Sequence, residues 1–275
     1  MPLIRLALIS LGLVVSLWAC QSQQAQPSAV QTATETAPSP APAPSVDTVS
    51  PYANLLNKAF VTGQFNPATH PDFTRIEAQY TDKEEVYLHK DAYAAFLKMH
   101  AAAKKDGIKL LIRSAARNFN YQKSIWEAKW KGTRKVGGED LSKTIPAAKP
   151  RALKILEFSS MPGTSRHHWG TDIDFNSFEN SYFTKGKGLQ EYQWLSQHAG
   201  SYGFCQVYTE KGENRPNGYN LEKWHWSYLP IAQELTKFAA QHLKDQDIQG
   251  FAGAEAAPSI GVVERYILGI DPSCQ

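Results

Sequence analysis

The chain has 275 residues, 42% of them hydrophobic and 11% aromatic, which is enough apolar surface for a sizeable core and excludes wholesale disorder, a collagen or a coiled coil. Its 29 basic residues nearly balance its 26 acidic ones, and the basic residues are scattered, so the formal charge of +3 makes no electrostatic case for nucleic-acid binding. Composition shifts early in the chain, and the part that must fold amounts to about one domain.

Residues 1–19 read as an export signal: Arg5 is a short positive region, Leu6 to Leu17 is almost wholly apolar, and Leu17-Trp18-Ala19-Cys20 closes the stretch. It is too short to span a bilayer comfortably. A small residue before a cysteine at this point resembles the bacterial lipobox, in which the cysteine is acylated and begins the mature protein. Trp18 is unusual there, and an ordinary secretory signal with an incidental Cys20 is the other reading. Acylation of Cys20 implies an exported protein held in the cell envelope by a lipid anchor. Because Gln21 rather than Asp follows, that anchor would sit in the outer membrane, facing the periplasm, if the host has one. Residues 20–50 are rich in Pro, Ala, Ser and Thr and have almost no large apolar side chain, so they read as a disordered tether.

From Pro51 onward helical and strand-like runs mix without an internal repeat, and residues 51–275 are expected to form one domain. Residues 91–106 have helical apolar spacing at Tyr93, Phe96 and Leu97, closed by Gly107. A strand is expected at Ile108 to Ile112. A helix follows over Phe119 to Trp130, with Ile125, Trp126 and Trp130 on one side, and further helices over Leu189 to His198 and Ile231 to Leu243. Residues 131–160 show no signature, and residues 246–275 could either cap the domain or shape a cleft. The elements do not alternate regularly, which favours an α+β fold with a small antiparallel sheet flanked by helices over a doubly wound one. With Cys20 acylated, Cys205 and Cys274 remain, and in an oxidising compartment such a pair reads as a disulfide pinning the C-terminal segment. The alternative is two unrelated thiols.

The chemistry concentrates in Ser165-Arg166-His167-His168-Trp169-Gly170-Thr171-Asp172-Ile173-Asp174 and in Glu222-Lys223-Trp224-His225-Trp226-Ser227-Tyr228. Two histidines and a carboxylate meet the need of a catalytic zinc, which takes three protein ligands and keeps a fourth position for water. Alternation along residues 171–175 places Ile173 and Phe175 on one face and Asp172 and Asp174 on the other. His167 would reach the same cleft across a turn at Gly170. Alternation in the second stretch sends Trp224, Trp226 and Tyr228 to one apolar face and His225 and Ser227 to the opposite one, with Glu222 just before.

The first stretch is similar to the S-x-H-x-x-G-x-(A/D)-x-D signature, and the second to the E-x-W-H signature, of the VanY-type D-alanyl-D-alanine carboxypeptidases. These belong, with the D-Ala-D-Ala dipeptidases and lysostaphin, to zinc peptidases that share a small α+β core. Ser114-Ala115-Ala116-Arg117 followed by Gln122 looks like the family's S-G-Y-R-S-x-x-x-Q segment, with alanines where Gly and Tyr are usual. The order and spacing of the three motifs extend the resemblance over roughly residues 60–245.

The resemblance implies one zinc ion held by His167, Asp174 and His225, Glu222 as general base and Arg117 as the group that stabilises the oxyanion. Ser114, Gln122 and Ser165 would line the substrate end, and Trp169 is a further candidate for substrate contact. Asp172 is open between a hydrogen bond to a ligand histidine and a solvated surface position. His168 would break the seven-residue interval from His167 to Asp174 if it were the ligand, and His70, His89, His100, His198 and His242 lack a partner spacing. The implied protein is a monomeric peptidase acting on peptidoglycan stem peptides, most simply by removing a C-terminal D-amino acid. An L,D-carboxypeptidase, a dipeptidase or a cross-link endopeptidase would use the same chemistry, and a non-catalytic zinc-containing module that binds peptidoglycan is the alternative from another class.

Overall fold

A computed structural model describes residues 50–275; the export signal, Cys20 and the tether up to residue 49 lie outside the described residues. After a 3-10 turn at Ala53–Leu55 come a one-turn helix α1 (Lys58–Val61) and an antiparallel pair, β1 (Phe73–Arg75) and β2 (Tyr87–His89). His89 then caps helix α2 (Lys90–Lys105), its Nδ1 accepting from the Asp91 N–H at 3.2 Å. The central sheet is antiparallel throughout, in the order β3-β4-β6-β5, from β3 (Ile112–Ser114), β4 (Asp172–Phe175), β5 (Phe204–Cys205) and β6 (His225–Tyr228). The fold is therefore the expected α+β arrangement.

Alternation decides which side of this sheet is dry. Ile173 and Phe175 of β4 and Trp226 of β6 pack with Phe96 and Met99 of α2 and with Trp194 and Leu195 of α6 (Gly186–His198), all buried. Asp172 and Asp174 consequently face the opposite side. The first central strand starts later than its apolar run suggests. Leu110 and Ile112 do enter the core, but Asn176 replaces the ladder beside them: its Oδ1 accepts from the Leu111 N–H at 2.6 Å and its Nδ2 donates to the Lys109 carbonyl at 2.9 Å. Regular pairing begins only at Ile112.

A second core joins α3 (Phe119–Trp130), α5 (Ala148–Ile155), α7 (Leu229–His242) and the C-terminal segment, with the short helices α4 (Leu141–Thr144) and α8 (Ala257–Ile260) at its margin. The Asn118 side chain caps α3 by accepting from the Tyr121 N–H at 2.9 Å. Trp126 is fully buried against Phe251 and stacked on Trp130. Ile125 departs from the expected grouping. It lies with Gln122 and Lys129, three and four residues away, on the face of α3 that borders the cleft.

Residues 246–275 act as a cap: Ile248, Phe251, Val262, Ile267 and Ile270 are buried in the second core, and none of the cleft lining among the described residues comes from this segment. Cys205 and Cys274 form the expected disulfide, with Cα atoms 5.8 Å apart, which ties the chain end to edge strand β5. Closing 69 residues of chain contributes roughly 4 kcal/mol through loss of unfolded-state entropy.

Candidate active site

Three segments converge on the polar side of the sheet. Asp174 and His225 stand directly opposite each other on β4 and β6, Asp172 stands opposite Ser227, and Ser114 of β3 flanks Asp174 from the other side. His167 arrives on a single 3-10 turn, Arg166–Trp169, that ends at Gly170 with φ +69°. Glycine is required there, because a Cβ would strike the Phe73 ring while the Gly170 carbonyl accepts from the His89 N–H. After Thr171 the chain enters β4, so the turn sets His167 beside Asp174.

The resulting cluster has the shape of a metal centre. One ligand atom from each of His167, Asp174 and His225 lies within 4.8 Å of the others, and all three residues are buried. His167 Nε2 is 3.2 Å from Asp174 Oδ2, and His225 Nδ1 is 3.1 Å from Asp174 Oδ1. These approaches lack hydrogen-bond alignment, and both His167 Nε2 and Asp174 Oδ1 are buried with no hydrogen-bond partner. Such orphans are expensive in a core unless something else meets them. The far side of each ring is fully engaged: His167 Nδ1 is 2.8 Å from the Ala115 carbonyl, and His225 Nε2 is 2.8 Å from Asp172 Oδ2. If each engaged nitrogen carries the proton, both rings turn a lone pair inward, the arrangement that metal-binding histidines use. Burial alone would favour neutral His225, yet Asp172, Asp174 and Glu222 around it hold its proton affinity well above the ordinary value. The cluster calls for positive charge. The residues present fit a divalent cation.

Beneath the cluster lies a saturated polar network. Asp172 is fully buried; its Oδ2 meets Arg166 Nε at 3.3 Å, and its Oδ1 accepts from the Ser227 and Thr171 hydroxyls at 2.7 Å each. Arg166 also donates to Thr236 and to Ser227, and its guanidinium lies 4.5 Å from the centre of the Trp169 ring. Burial pushes the Asp172 carboxyl up, but Arg166 and His225 outweigh it and hold its pKa well below the usual range. The surface alternative for Asp172 is excluded. Trp169 is corrected as well: it is 1% exposed, its Nε1 donates to the Val61 carbonyl at 3.1 Å, and it packs in the second core away from the cleft. A tryptophan on a one-turn helix follows that turn's packing, and no strand alternation aims it outward.

The cleft above the cluster encloses about 590 Å³. Glu222 lies on its floor with Oε2 3.3 Å from His225 Nδ1, and burial raises its pKa despite the pull of His225. Arg117 sits in the link between β3 and α3, its N–H bonded to the His167 carbonyl and its Nη1 3.3 Å from Ser114 Oγ and 4.0 Å from Asp174. Gln122 donates to the Ser160 carbonyl at 2.8 Å, while its Oε1, the Ser165 hydroxyl and Arg117 Nε are buried without a partner. All the expected site residues except Trp169 therefore meet around one cavity. His168 faces away, accepting from the Gly163 N–H and bonding the Arg117 carbonyl through Nδ1, with burial lowering its pKa to about 3. It braces Arg117 from behind.

Sequence reasoning missed several features. Arg166 lies inside the first motif, yet nothing in that motif marks it as the counter-charge of Asp172. Tyr208, whose ring centre is 4.6 Å from that of His225, sits outside any motif. Trp224 leaves the apolar face shared by Trp226 because β6 begins only at His225; it lines the cleft between Phe158 and Phe178, with ring centres 6.5 and 6.4 Å away. Residues 134–137 and 154–160, from the region without a signature, supply much of one cleft wall.

Comparison with known proteins adds a family. The sequence profile of VanY, D-alanyl-D-alanine carboxypeptidase, matches residues 85–231. "Putative carboxypeptidase YodJ" of Bacillus subtilis (strain 168) is 28% identical over 202 residues, which cover 70% of this chain and 63% of that protein. The chain thus spans less than two thirds of that relative's length. Among solved structures, the LdcB LD-carboxypeptidase is similar at 21% identity and a TM-score of 0.47, covering 65% of this chain and 76% of its own. A mutant of the vancomycin-resistance D,D-pentapeptidase VanY in complex with Zn(II) is similar at 22% identity and a TM-score of 0.42, covering 66% of this chain and 93% of its own.

Proposed function

Because this chain belongs to the VanY family of D-alanyl-D-alanine carboxypeptidases by its match over residues 85–231, we propose that it is a zinc-dependent D,D-carboxypeptidase that trims the terminal D-alanine from peptidoglycan stem peptides. The observation that carries this reading is the meeting of His167, Asp174, His225 and Glu222 on the floor of one cleft. Two imidazoles and one carboxylate are a donor set that suits zinc and leaves a coordination position open. When bound, zinc supplies Lewis acidity to a peptide carbonyl and lowers the pKa of water to about 7.

The chain's own residues supply the rest. Asp172 and the Ala115 carbonyl fix the tautomers and ring planes of His225 and His167. Glu222 takes the proton of the attacking water and returns it to the leaving amine. Arg117, steadied by Ser114, stabilises negative charge on the carbonyl oxygen. The free Ser165 hydroxyl and Gln122 Oε1 receive polar groups of the peptide.

Mass spectrometry of a pentapeptide stem ending in D-Ala-D-Ala, and of its tetrapeptide, after incubation with the purified full chain tests this function. The expected outcome is loss of one D-alanine from the pentapeptide, abolished by a chelator. Loss from the tetrapeptide instead would reassign the chain to L,D cleavage. If neither is cut while zinc is bound, the carboxypeptidase reading fails in favour of a cross-link endopeptidase or a binding module.

The proposal extends to where the enzyme works. Residues 1–19 direct export, acylated Cys20 anchors the chain in the envelope and the tether up to residue 50 carries the domain away from the membrane. Cys20→Ala is expected to move the protein from the membrane to the soluble fraction, and an unchanged distribution would refute the anchor.

A further inference from the structure

Lys129 is a charged group that the mechanism above does not use. It lies on the cleft-facing side of α3, beyond Gln122 and Ile125, and lines the cavity. Its neighbours in sequence are neutralised: Lys123 and Lys131 both pair with Glu127, and Lys154 on the same wall pairs with Glu157. Lys129 has no carboxylate within 4 Å among the described residues, and its Nζ has the Ser159 hydroxyl as hydrogen-bond partner. It is partly buried, and the charges of Arg134 and Arg117 repel it. Glu222 attracts it from a distance but is held by His225. Burial, with those two guanidinium groups, lowers its pKa to about 8.

A desolvated ammonium facing two cations is unfavourable until an anion arrives. The cavity that Lys129 faces is the one in which the peptide must lie, and every peptide offered to a carboxypeptidase carries a carboxylate. We propose that Lys129, with Ser159 beside it and Arg134 towards solvent, forms a subsite that binds a carboxylate of the peptide substrate. The inference rests on the peptidase reading for the identity of the peptide. The carboxylate comes either from the peptide's C-terminus or from a side chain, and the test separates these sources.

The test is calorimetric binding to the full chain carrying Glu222→Gln, so that bound peptide is not turned over. Three stem-like peptides are compared: one with only its terminal carboxylate free, one with only a side-chain carboxylate free, and one with every carboxyl amidated. One of the two acids is expected to bind about tenfold to a hundredfold tighter than the amide, the range of a charge-assisted contact. Adding Lys129→Met should erase that preference while leaving the Kd of the fully amidated peptide within about twofold, and Lys129→Arg should restore most of it. The acid that loses its advantage identifies the source. Equal binding of all three peptides, no binding of any, or a preference that survives Lys129→Met overturns the proposal. Failure of the peptidase reading would show separately, as an absence of chelator-sensitive cleavage by the enzyme with Glu222 intact.

Discussion

Asp172 and Asp174 are two residues apart on one strand and face the same way, yet their surroundings differ in kind. Asp172 has Arg166, Ser227, Thr171 and His225 around it, and every oxygen is bonded. Asp174 faces two imidazoles without hydrogen-bond alignment, next to an unpartnered His167 Nε2 and below unpartnered atoms of Ser165, Gln122 and Arg117. The saturated side holds the fold's geometry; the unsaturated side waits for ligands. Buried polar groups left unpaired cost stability, so their gathering in one cavity marks where the chain gives up stability for chemistry.

The sharpest way to break this contrast is on the unsaturated side. Glu222→Gln is expected to lower peptide turnover by roughly 10³- to 10⁴-fold while zinc content by metal analysis and the unfolding midpoint stay near those of the parent. Unchanged turnover would remove the general base from the mechanism. On the saturated side the same kind of change should show up as unfolding. Asp172→Ala strands the fully buried Arg166 guanidinium and should cost about 3–5 kcal/mol in denaturant unfolding, with zinc affinity down about tenfold to a hundredfold. An unaltered midpoint would show that the network is dispensable.

The smallest effect sharpens the comparison through pH. Lys129 has a folded pKa of about 8, below its unfolded value, so between about pH 8 and 10.5 the unfolded chain binds more protons and stability rises with pH. Below pH 8 the folded protein carries the full penalty of a buried charge. Lys129→Met should therefore raise stability at pH 7 by about 1–2 kcal/mol, discounted for the part of the ammonium that stays wet, and change little at pH 11. Equal gains at both pH values would mean that packing, and not charge, is at stake.

Much of the site was legible in the chain because its ligands come from contiguous stretches. His167 and Asp174 are separated by one turn and one strand, and Glu222 and His225 by three residues, so local geometry nearly determines their placement. The α+β class followed from the irregular order of elements, and the disulfide from the cysteine count together with the export signal, since its partners are 69 residues apart. What could not be read depends on distant packing. Trp169 and Trp224 carry the same side chain, but one is enclosed beside Val61 and the other stands at a cleft edge beside Phe158. Lys129 looks like any helix lysine until Glu127 is seen to be taken by its neighbours. Arg166 reaches Ser227 only when β4 meets β6, and Thr236 only when α7 packs against them.

Direct opposition of Asp174 and His225 across two antiparallel strands has a consequence for quality control of the fold. Side chains alternate with a period of two, so sliding β6 by one residue would bring Trp226 or Trp224 opposite Asp174 and turn His225 into the apolar layer. No partly slipped sheet can hold the cation. On the zinc reading proposed above, metal uptake would be a readout of correct strand alignment, and molecules taking up the ion in full stoichiometry would be those whose central sheet has zipped up in the single alignment that works.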